Sequence, residues 1–246
     1  MAEHALLNRI KNVHDKLNSE YNKHDECDDE NWIKEINNWS NIKKPDQNIP
    51  DYYFILNLCY GPWRVKRQKD VWKNVYQNFK SKCQGDLRKI AERSINIGFP
   101  FEWQENRALF LSEYLNDKGI TFTQFLQGLK SNNGLEVLDT IGEVVRATPG
   151  ITKTISTFIR DWFRKDVFPI DTRVEKLLSY LGLPRDEEMI VYLSRKVGVS
   201  PRIFNRMLYK HYGEWCGKGR HNGCPVYNDC YFPIFILARF EIKPDS

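Results

Sequence analysis

Three of the six cysteines lie close together near the C-terminal end of the chain, and one histidine lies among them. Cys216, His221, Cys224 and Cys230 offer soft thiolate sulfurs and one imidazole nitrogen. Such donors hold an iron-sulfur cluster or a tetrahedral structural zinc ion, and donor identity does not choose between them. A set of reduced cysteines without metal is the remaining interpretation. The other cysteines are scattered, unlike the disulfide framework of a secreted protein.

A second candidate feature is the turn Thr148-Pro149-Gly150-Ile151-Thr152, which separates two segments with the apolar spacing of amphipathic helices. Gly150 can adopt a positive φ there. Thr152 is a candidate N-cap for the second helix, which we expect over residues 153–164. The free amides and the dipole at the start of that helix suit a phosphate oxygen. An ordinary helix-helix connection is the alternative.

The segments that follow the turn make the pattern more specific. Lys153-Thr154 comes next, then Pro169-Ile170-Asp171-Thr172-Arg173-Val174, then Leu181-Gly182-Leu183. Together with the turn, this order resembles the helix-hairpin-helix and Gly/Pro-Asp motifs of the endonuclease III superfamily of DNA glycosylases. The resemblance implies an all-α fold of two helical lobes, with Lys153 and Asp171 in the cleft between them.

The resemblance also implies the catalytic roles. A neutral lysine amine, here Lys153, would attack C1′ of the sugar, expel the base and form a Schiff base. Asp171 would stabilise positive charge on the sugar, and it is also a candidate N-cap for the next helix. The turn lacks the second glycine of the family pattern and is one residue shorter. An ungapped alignment would therefore place Thr154 at the catalytic position, whereas the separation from Asp171 favours Lys153.

The cysteine loop, residues 216–230, resembles the loop of four cysteines that holds a [4Fe-4S] cluster in this superfamily. His221 stands in place of one cysteine. The position of the loop favours a [4Fe-4S] cluster, and the histidine favours structural zinc as the alternative. The loop is also basic, so these residues either contact phosphates or form a solvated surface: Lys210, His211, Lys218 and Arg220.

Further DNA contacts follow from the resemblance. Trp63 would fill or stack in the gap left by a flipped base, and Arg64 would contact the orphaned base or a phosphate. A tryptophan packed in a helix-helix corner is the alternative. This segment departs from the family pattern, so the lesion cannot be transferred. Gly150, Thr152 and Thr154 complete the predicted DNA-binding set.

The elements that must position these residues are helices. Strand-like alternation is nearly absent, whereas helical apolar spacing recurs along the chain, so we expect an all-α fold. Before the turn, helices are expected over residues 6–17, 32–39, 52–59, 71–79, 87–95, 107–115, 122–129 and 135–147. The resemblance divides the chain into a six-helix lobe over residues 50–150 and a second lobe formed by residues 1–49 and 151–246. The apolar tail at residues 234–237 is expected to pack against the first helix.

Bulk composition narrows the class of protein. Lys and Arg exceed Asp and Glu by 37 to 32, which gives a net charge of +5. This balance permits a polyanionic partner without requiring one. No apolar run approaches the length of a membrane span, and the N-terminal segment lacks the layout of a secretory signal. We therefore expect a soluble protein inside a cell, in the cytoplasm or nucleoid of a prokaryote rather than in a nucleus.

The functional hypothesis is a DNA repair glycosylase with abasic-site lyase activity. It would act as a monomer on duplex DNA that contains a damaged base or an abasic site. One alternative is a monofunctional glycosylase in which Asp171 helps to activate water, and base release without strand cleavage would identify it. The other is a non-catalytic protein that binds damaged DNA, which would bind without excising any base.

Overall fold

The computed structural model describes residues 2–21, 49–59, 65–129, 133–145, 151–163, 165–220 and 222–231. Several predicted features lie outside these ranges. They are the helix at 32–39, Trp63, Arg64, Gly150, His221 and the apolar tail at 234–237.

Every regular element within the described ranges is a helix, which confirms the all-α class. The α-helices are α1 (Ala2–Tyr21), α2 (Ile49–Leu58), α3 (Val65–Cys83), α4 (Lys89–Glu92), α5 (Glu102–Lys118), α6 (Phe122–Gly128), α7 (Gly134–Val145), α8 (Ile151–Phe163), α9 (Thr172–Tyr180), α10 (Glu187–Lys196) and α11 (Pro201–Glu214). Two short 3-10 helices, Cys216–Lys218 and Tyr227–Asp229, follow α11. None of the described helices is both long and apolar enough to cross a bilayer.

The described residues form two compact units. Unit 1 contains α1, the start of α7 up to Leu138, α8 from Ile159, and the chain from α9 onward. Unit 2 contains α2 to α6, α7 from Asp139, and α8 up to Phe158. The division expected at residue 150 remains a prediction, because the turn there lies outside the described residues.

Unit 1 is built on the first helix, as its apolar spacing predicts. Ile10, Val13 and Leu17 are fully buried along one face of α1, and this helix packs against α10 and α11. Helix α11 starts at a local sequence signal, since the Ser200 hydroxyl accepts a hydrogen bond from the Ile203 amide and proline occupies the first helical position. The hydrophobic pattern and the capping residues therefore agree on where these helices lie.

Unit 2 has an aromatic core around α2. Every residue of α2 from Tyr52 onward is buried, and the helix expected over residues 52–59 is confirmed. The Phe54 ring lies 5.0 Å from the Phe122 ring and 5.6 Å from the Phe158 ring. Burial of large aromatic rings therefore joins α2 to α6 and to the first half of α8.

Helix α5 begins earlier than the sequence pattern predicts, at Glu102 rather than Arg107. The Phe101 amide donates to Oε1 of Gln104 (3.3 Å), which satisfies a free amide at the helix start. Gln104 is itself fully buried, and its Nε2 donates to the carbonyl of Leu58 (2.7 Å). The longer helix places Trp103 and Arg107 one turn apart on the same face.

The helix predicted over residues 87–95 is mostly wrong, since only Lys89–Glu92 is helical. The Leu87 amide donates to Oδ1 of the buried Asp51 (3.0 Å) instead of extending a helix. Ser94 has a φ of 48°, a left-handed conformation that ends the segment. Leu87 and Ile90 are both buried, but only Ile90 lies in the short helix, and Leu87 lies in the turn before it.

Candidate functional site

Lys153 lies in the first turn of α8, and its side chain is exposed. This helix begins at Ile151, two residues before the predicted start, so Thr152 lies inside the helix and the prediction that it is the N-cap is wrong. The physical reason is the apolar pattern, because Ile151 is spaced helically from Ile155 and Phe158.

Thr154, the residue after Lys153, is held by two other helices of unit 2. Its hydroxyl oxygen accepts a hydrogen bond from Nη1 of Arg107 on α5 (3.1 Å). Its carbonyl oxygen accepts from Nδ2 of Asn57 on α2 (3.4 Å), and Asn57 is buried. These contacts fix the start of α8 and occupy the Thr154 hydroxyl, while the neighbouring Lys153 side chain is left in solvent.

The Arg107 guanidinium is half-buried and has few partners. It lies over the ring of Trp103, 4.3 Å from the centroid, and Trp103 in turn stacks with Phe101 at 6.0 Å and 16°. Among the described residues nothing accepts a hydrogen bond from its buried Nε. Burial lowers the pKa of Arg107, and no carboxylate in the part of the chain that the structure describes offsets that effect. We call Asn57, Trp103, Arg107 and Thr154 the Thr154 corner.

Asp171 is preceded by residues 165–170, which unit 1 holds firmly; we call residues 165–171 the Asp171 loop. The Phe168 amide donates to Oε1 of Glu187 (2.9 Å). The Pro169 carbonyl accepts from Nδ2 of the buried Asn205 (2.9 Å), and Oδ1 of Asn205 accepts from Nη1 of Arg160. The Phe168 amide and the Pro169 carbonyl are therefore paired inside the protein.

Asp171 itself is the N-cap of α9, which confirms one of its two predicted roles. Its Oδ1 accepts from the amides of Arg173 (2.9 Å) and Val174 (2.8 Å). Within the described residues, its Oδ2 accepts no hydrogen bond. The cap orients the carboxylate and leaves one oxygen for another partner. Beside it, the Arg173 guanidinium donates to the Tyr209 hydroxyl (2.9 Å).

The described part of the cysteine loop is docked onto α1. Oδ2 of Asp229 accepts from Nζ of Lys16 (2.6 Å), and its Oδ1 accepts from Nδ2 of Asn12 (2.7 Å). Cys216, Cys224 and Cys230 all have partly buried side chains. Burial, followed by the negative charge of the other two, raises the pKa of Cys216 to about 12.

His211, at the end of α11, does not have the role predicted from the sequence. It was expected to make the loop basic, but it is fully buried, and burial lowers its pKa to about 4. Its Nδ1 lies 3.2 Å from the Tyr21 hydroxyl and its Nε2 lies 3.4 Å from the Cys224 sulfur. A neutral imidazole with both nitrogens occupied cannot contact phosphate. Lys218 and Arg220 are exposed, as a basic surface requires.

The donor chemistry of the loop fits a thiolate-bound metal or cluster, since residues 216–230 of the sequence carry three thiols and one imidazole. The described cysteine side chains do not by themselves form a complete metal-binding site. Across the ranges that the structure covers, no group of three or more His, Cys, Asp or Glu side chains is arranged to hold a metal ion. The predicted ligand His221 lies outside those ranges.

Sequence reasoning missed Arg107 and Asn57. Arg107 was assigned only as the start of a helix, yet its spacing from Trp103 is the spacing at which an arginine covers an aromatic ring on a helix face. This signal was readable once the true start of α5 was known. Asn57 carried no signal, because an asparagine in an apolar helix reveals its partner only in three dimensions.

The two predicted catalytic residues belong to different units, Lys153 to unit 2 and Asp171 to unit 1. Each stands at the start of a helix, and the residues next to each are fixed by side chains of its own unit. A scan against protein-family models gives no match for this chain, and a search of curated proteins gives none.

Proposed function

We propose that this protein is a DNA repair glycosylase of the helix-hairpin-helix class with abasic-site lyase activity. One observation carries the proposal: the exposed Lys153 stands in the first turn of α8, beside a Thr154 that Arg107 and Asn57 hold in place. A nucleophile must reach its substrate, so it must be exposed while its backbone stays fixed. Both conditions are met at Lys153, and the occupied hydroxyl of Thr154 favours Lys153 over Thr154.

The proposed chemistry uses Lys153 as an amine nucleophile. Its nitrogen forms a bond with C1′ of the sugar, the bond from C1′ to the base breaks, and the base leaves with a proton. The bonded amine gives up one proton, which leaves with the base. The bond from C1′ to the ring oxygen O4′ then breaks, O4′ takes up a proton, and the nitrogen lone pair completes a protonated Schiff base. Removal of a C2′ proton then breaks the bond from C3′ to its phosphate oxygen. Because Lys153 is exposed in the protein alone, bound DNA would be what excludes water from this amine.

Asp171 would stabilise positive charge on the sugar and would form no covalent bond with it. Its Oδ1 is committed to the amides of α9, so Oδ2 is the oxygen that would face the developing positive charge on the sugar. The firm attachment of the Asp171 loop supports this role, since electrostatic stabilisation requires a charge that does not move. The same features would serve a monofunctional glycosylase in which Asp171 helps to activate water.

Duplex DNA with a damaged base or an abasic site is the proposed partner of a monomer. We propose that α7 and α8 flank a hairpin whose Gly150, Thr152 and Thr154 contact a DNA phosphate. Trp63 and Arg64 would enter the gap left by the flipped nucleotide. The basic Lys218 and Arg220 would contact the backbone further along the duplex.

Borohydride trapping on duplexes with an abasic site or a defined lesion tests the nucleophile. We expect a covalent adduct with the wild type, none with Lys153→Ala, and a reduced but detectable adduct with Thr154→Ala. Lys73→Ala, which changes an exposed lysine of the same unit, is the matched control. An equal adduct with Lys153→Ala would sink the lysine mechanism. Base release without strand cleavage would identify the monofunctional enzyme, and DNA binding without any base release would identify a non-catalytic binder.

We also propose that Cys216, His221, Cys224 and Cys230 hold a [4Fe-4S] cluster, with structural zinc as the alternative. Either group would cross-link the C-terminal loop and stabilise the unit around it. Metal analysis and the visible spectrum of anaerobically purified protein distinguish the two, since only a cluster gives a brown sample. We expect Cys216→Ala to lower the melting temperature more than the rate of base release. Absence of both metals from anaerobic protein would refute the ligand assignment.

A further inference from the structure

The Thr154 corner contains a charge that the protein itself does not balance. Taking a guanidinium partly out of water is costly unless a carboxylate or several acceptors replace the lost hydration. Arg107 is half-buried, and no carboxylate within the described residues pairs with it. Its only hydrogen bond to a described residue goes to the Thr154 hydroxyl. Such an arrangement contributes little to the stability of the folded protein, whereas it would favour the binding of an anionic ligand.

The guanidinium is also held in one orientation. Trp103 lies against its face at 4.3 Å, and Thr154 accepts from one of its two terminal nitrogens. The other terminal nitrogen, Nη2, donates to none of the described residues. A guanidinium fixed in this way presents a planar edge of N–H groups, which matches the spacing of two oxygens on one phosphate.

Charge decides between a phosphate and a base as the ligand. The Trp103 ring is already stacked with Phe101 and covered by Arg107, so its role is to orient the guanidinium. An unbalanced cation gains most from a full negative charge, which a nucleobase lacks. The shared partner Thr154 links Arg107 to the residue next to Lys153.

We propose that Arg107 binds a backbone phosphate of the DNA beside the nucleotide that Lys153 attacks. This assignment rests on the proposed function, since it takes DNA as the ligand and Lys153 as the nucleophile. Arg107 would then be a binding residue that sets the position of the sugar relative to the amine, with Trp103 and Thr154 as its supports.

The test is the salt dependence of DNA binding, measured with a duplex that carries an abasic-site analogue. Each lost phosphate contact reduces the slope of log affinity against log salt by about 0.9. We therefore expect Arg107→Gln to bind less tightly than the wild type and to lose about 3.5-fold less affinity than the wild type between 50 and 200 mM salt. Arg107→Lys keeps the charge and should keep the slope. Arg93→Gln removes an exposed arginine of the same unit and should leave the slope unchanged.

A purely structural Arg107 would behave differently. Its replacement by glutamine would lower the melting temperature and leave the salt slope as in the wild type, and that result would overturn the proposal. Absence of DNA binding by the wild type would overturn it too. A reduced slope without any borohydride adduct would support the phosphate contact while refuting the lyase function. An adduct with an unchanged slope would do the reverse.

Discussion

The Thr154 corner and the Asp171 loop both support the start of a helix, but they differ in whether their buried polar groups are paired within the protein. In the Asp171 loop, the side chains of Asn205 and Glu187 pair with the backbone of Pro169 and Phe168. In the Thr154 corner, the Arg107 guanidinium is half-buried, and the described residues supply neither an acceptor for its Nε nor a balancing carboxylate.

In the Asp171 loop, side chains of the protein itself pair the buried backbone groups. In the Thr154 corner, N–H groups of Arg107 remain able to bind a further partner. A loop whose polar groups are paired internally gains rigidity and stability, and it holds Asp171 in one place. A corner with an unbalanced cation is less stable than its packing allows, and it gains from a ligand. We therefore expect substitutions of the paired groups in the Asp171 loop to cost stability, and substitutions of unbalanced groups in unit 2 to cost binding or even to raise stability.

The largest expected effect concerns Asp51, a second unbalanced group of unit 2. Burial raises the pKa of Asp51 to about 7, above its ordinary value of 3.8. The folded state therefore keeps a proton that the unfolded state releases, so stability falls as pH rises from about 4 to about 7. The loss is up to about 4 kcal/mol, at about 1.4 kcal/mol per pKa unit.

Asp51→Asn should remove that loss and raise stability at pH 8, since an amide oxygen can still accept from the Leu87 amide. Urea unfolding of both proteins between pH 4 and pH 8 measures the difference, and groups common to both cancel. Parallel profiles for the two proteins would show that unit 2 does not carry an unbalanced carboxyl at this position.

The second effect tests the pairing in the Asp171 loop. Asn205→Ala removes the donor to the Pro169 carbonyl and one acceptor of the buried Arg160. Leaving two buried groups without these partners should cost about 2 to 4 kcal/mol. Urea unfolding at pH 7 measures the loss. Asn12→Ala, which removes an exposed hydrogen bond in the same unit, should cost less than about 0.5 kcal/mol. Equal losses would show that the buried pairing in the Asp171 loop stabilises the protein no more than an exposed hydrogen bond does.

The smallest effect separates the two roles of Asp171. Asp171→Ala loses the cap of α9 and should cost about 1 kcal/mol, whereas Asp171→Asn keeps an oxygen that accepts from the Arg173 and Val174 amides. Both variants lack the carboxylate charge, so both should lose base release. Thermal unfolding and a base-release assay on the same samples measure the two properties. An active Asp171→Asn variant would limit Asp171 to capping.

The sequence predicted much of the helical framework because the signals are local. Apolar spacing located α1 and α2, and the stretch before α9 marked Asp171 as a cap candidate. Prediction from local pattern is less reliable where a short element depends on distant partners. The segment at 87–95 has an apolar pattern that predicts a helix. The Leu87 amide instead donates a hydrogen bond to Asp51 on another helix, and most of the segment forms turns.

By itself the sequence determined the all-α class, the order of motifs and the side chains that could carry chemistry, since these follow from spacing and residue type. Only the tertiary structure decided which polar groups are balanced. Arg107 and His211 look alike in a sequence as basic residues on helices, yet one is an unbalanced cation beside Thr154 and the other a buried neutral ring beside Cys224. Burial and the nearest partner set the charge of a side chain, and both depend on residues far away along the chain.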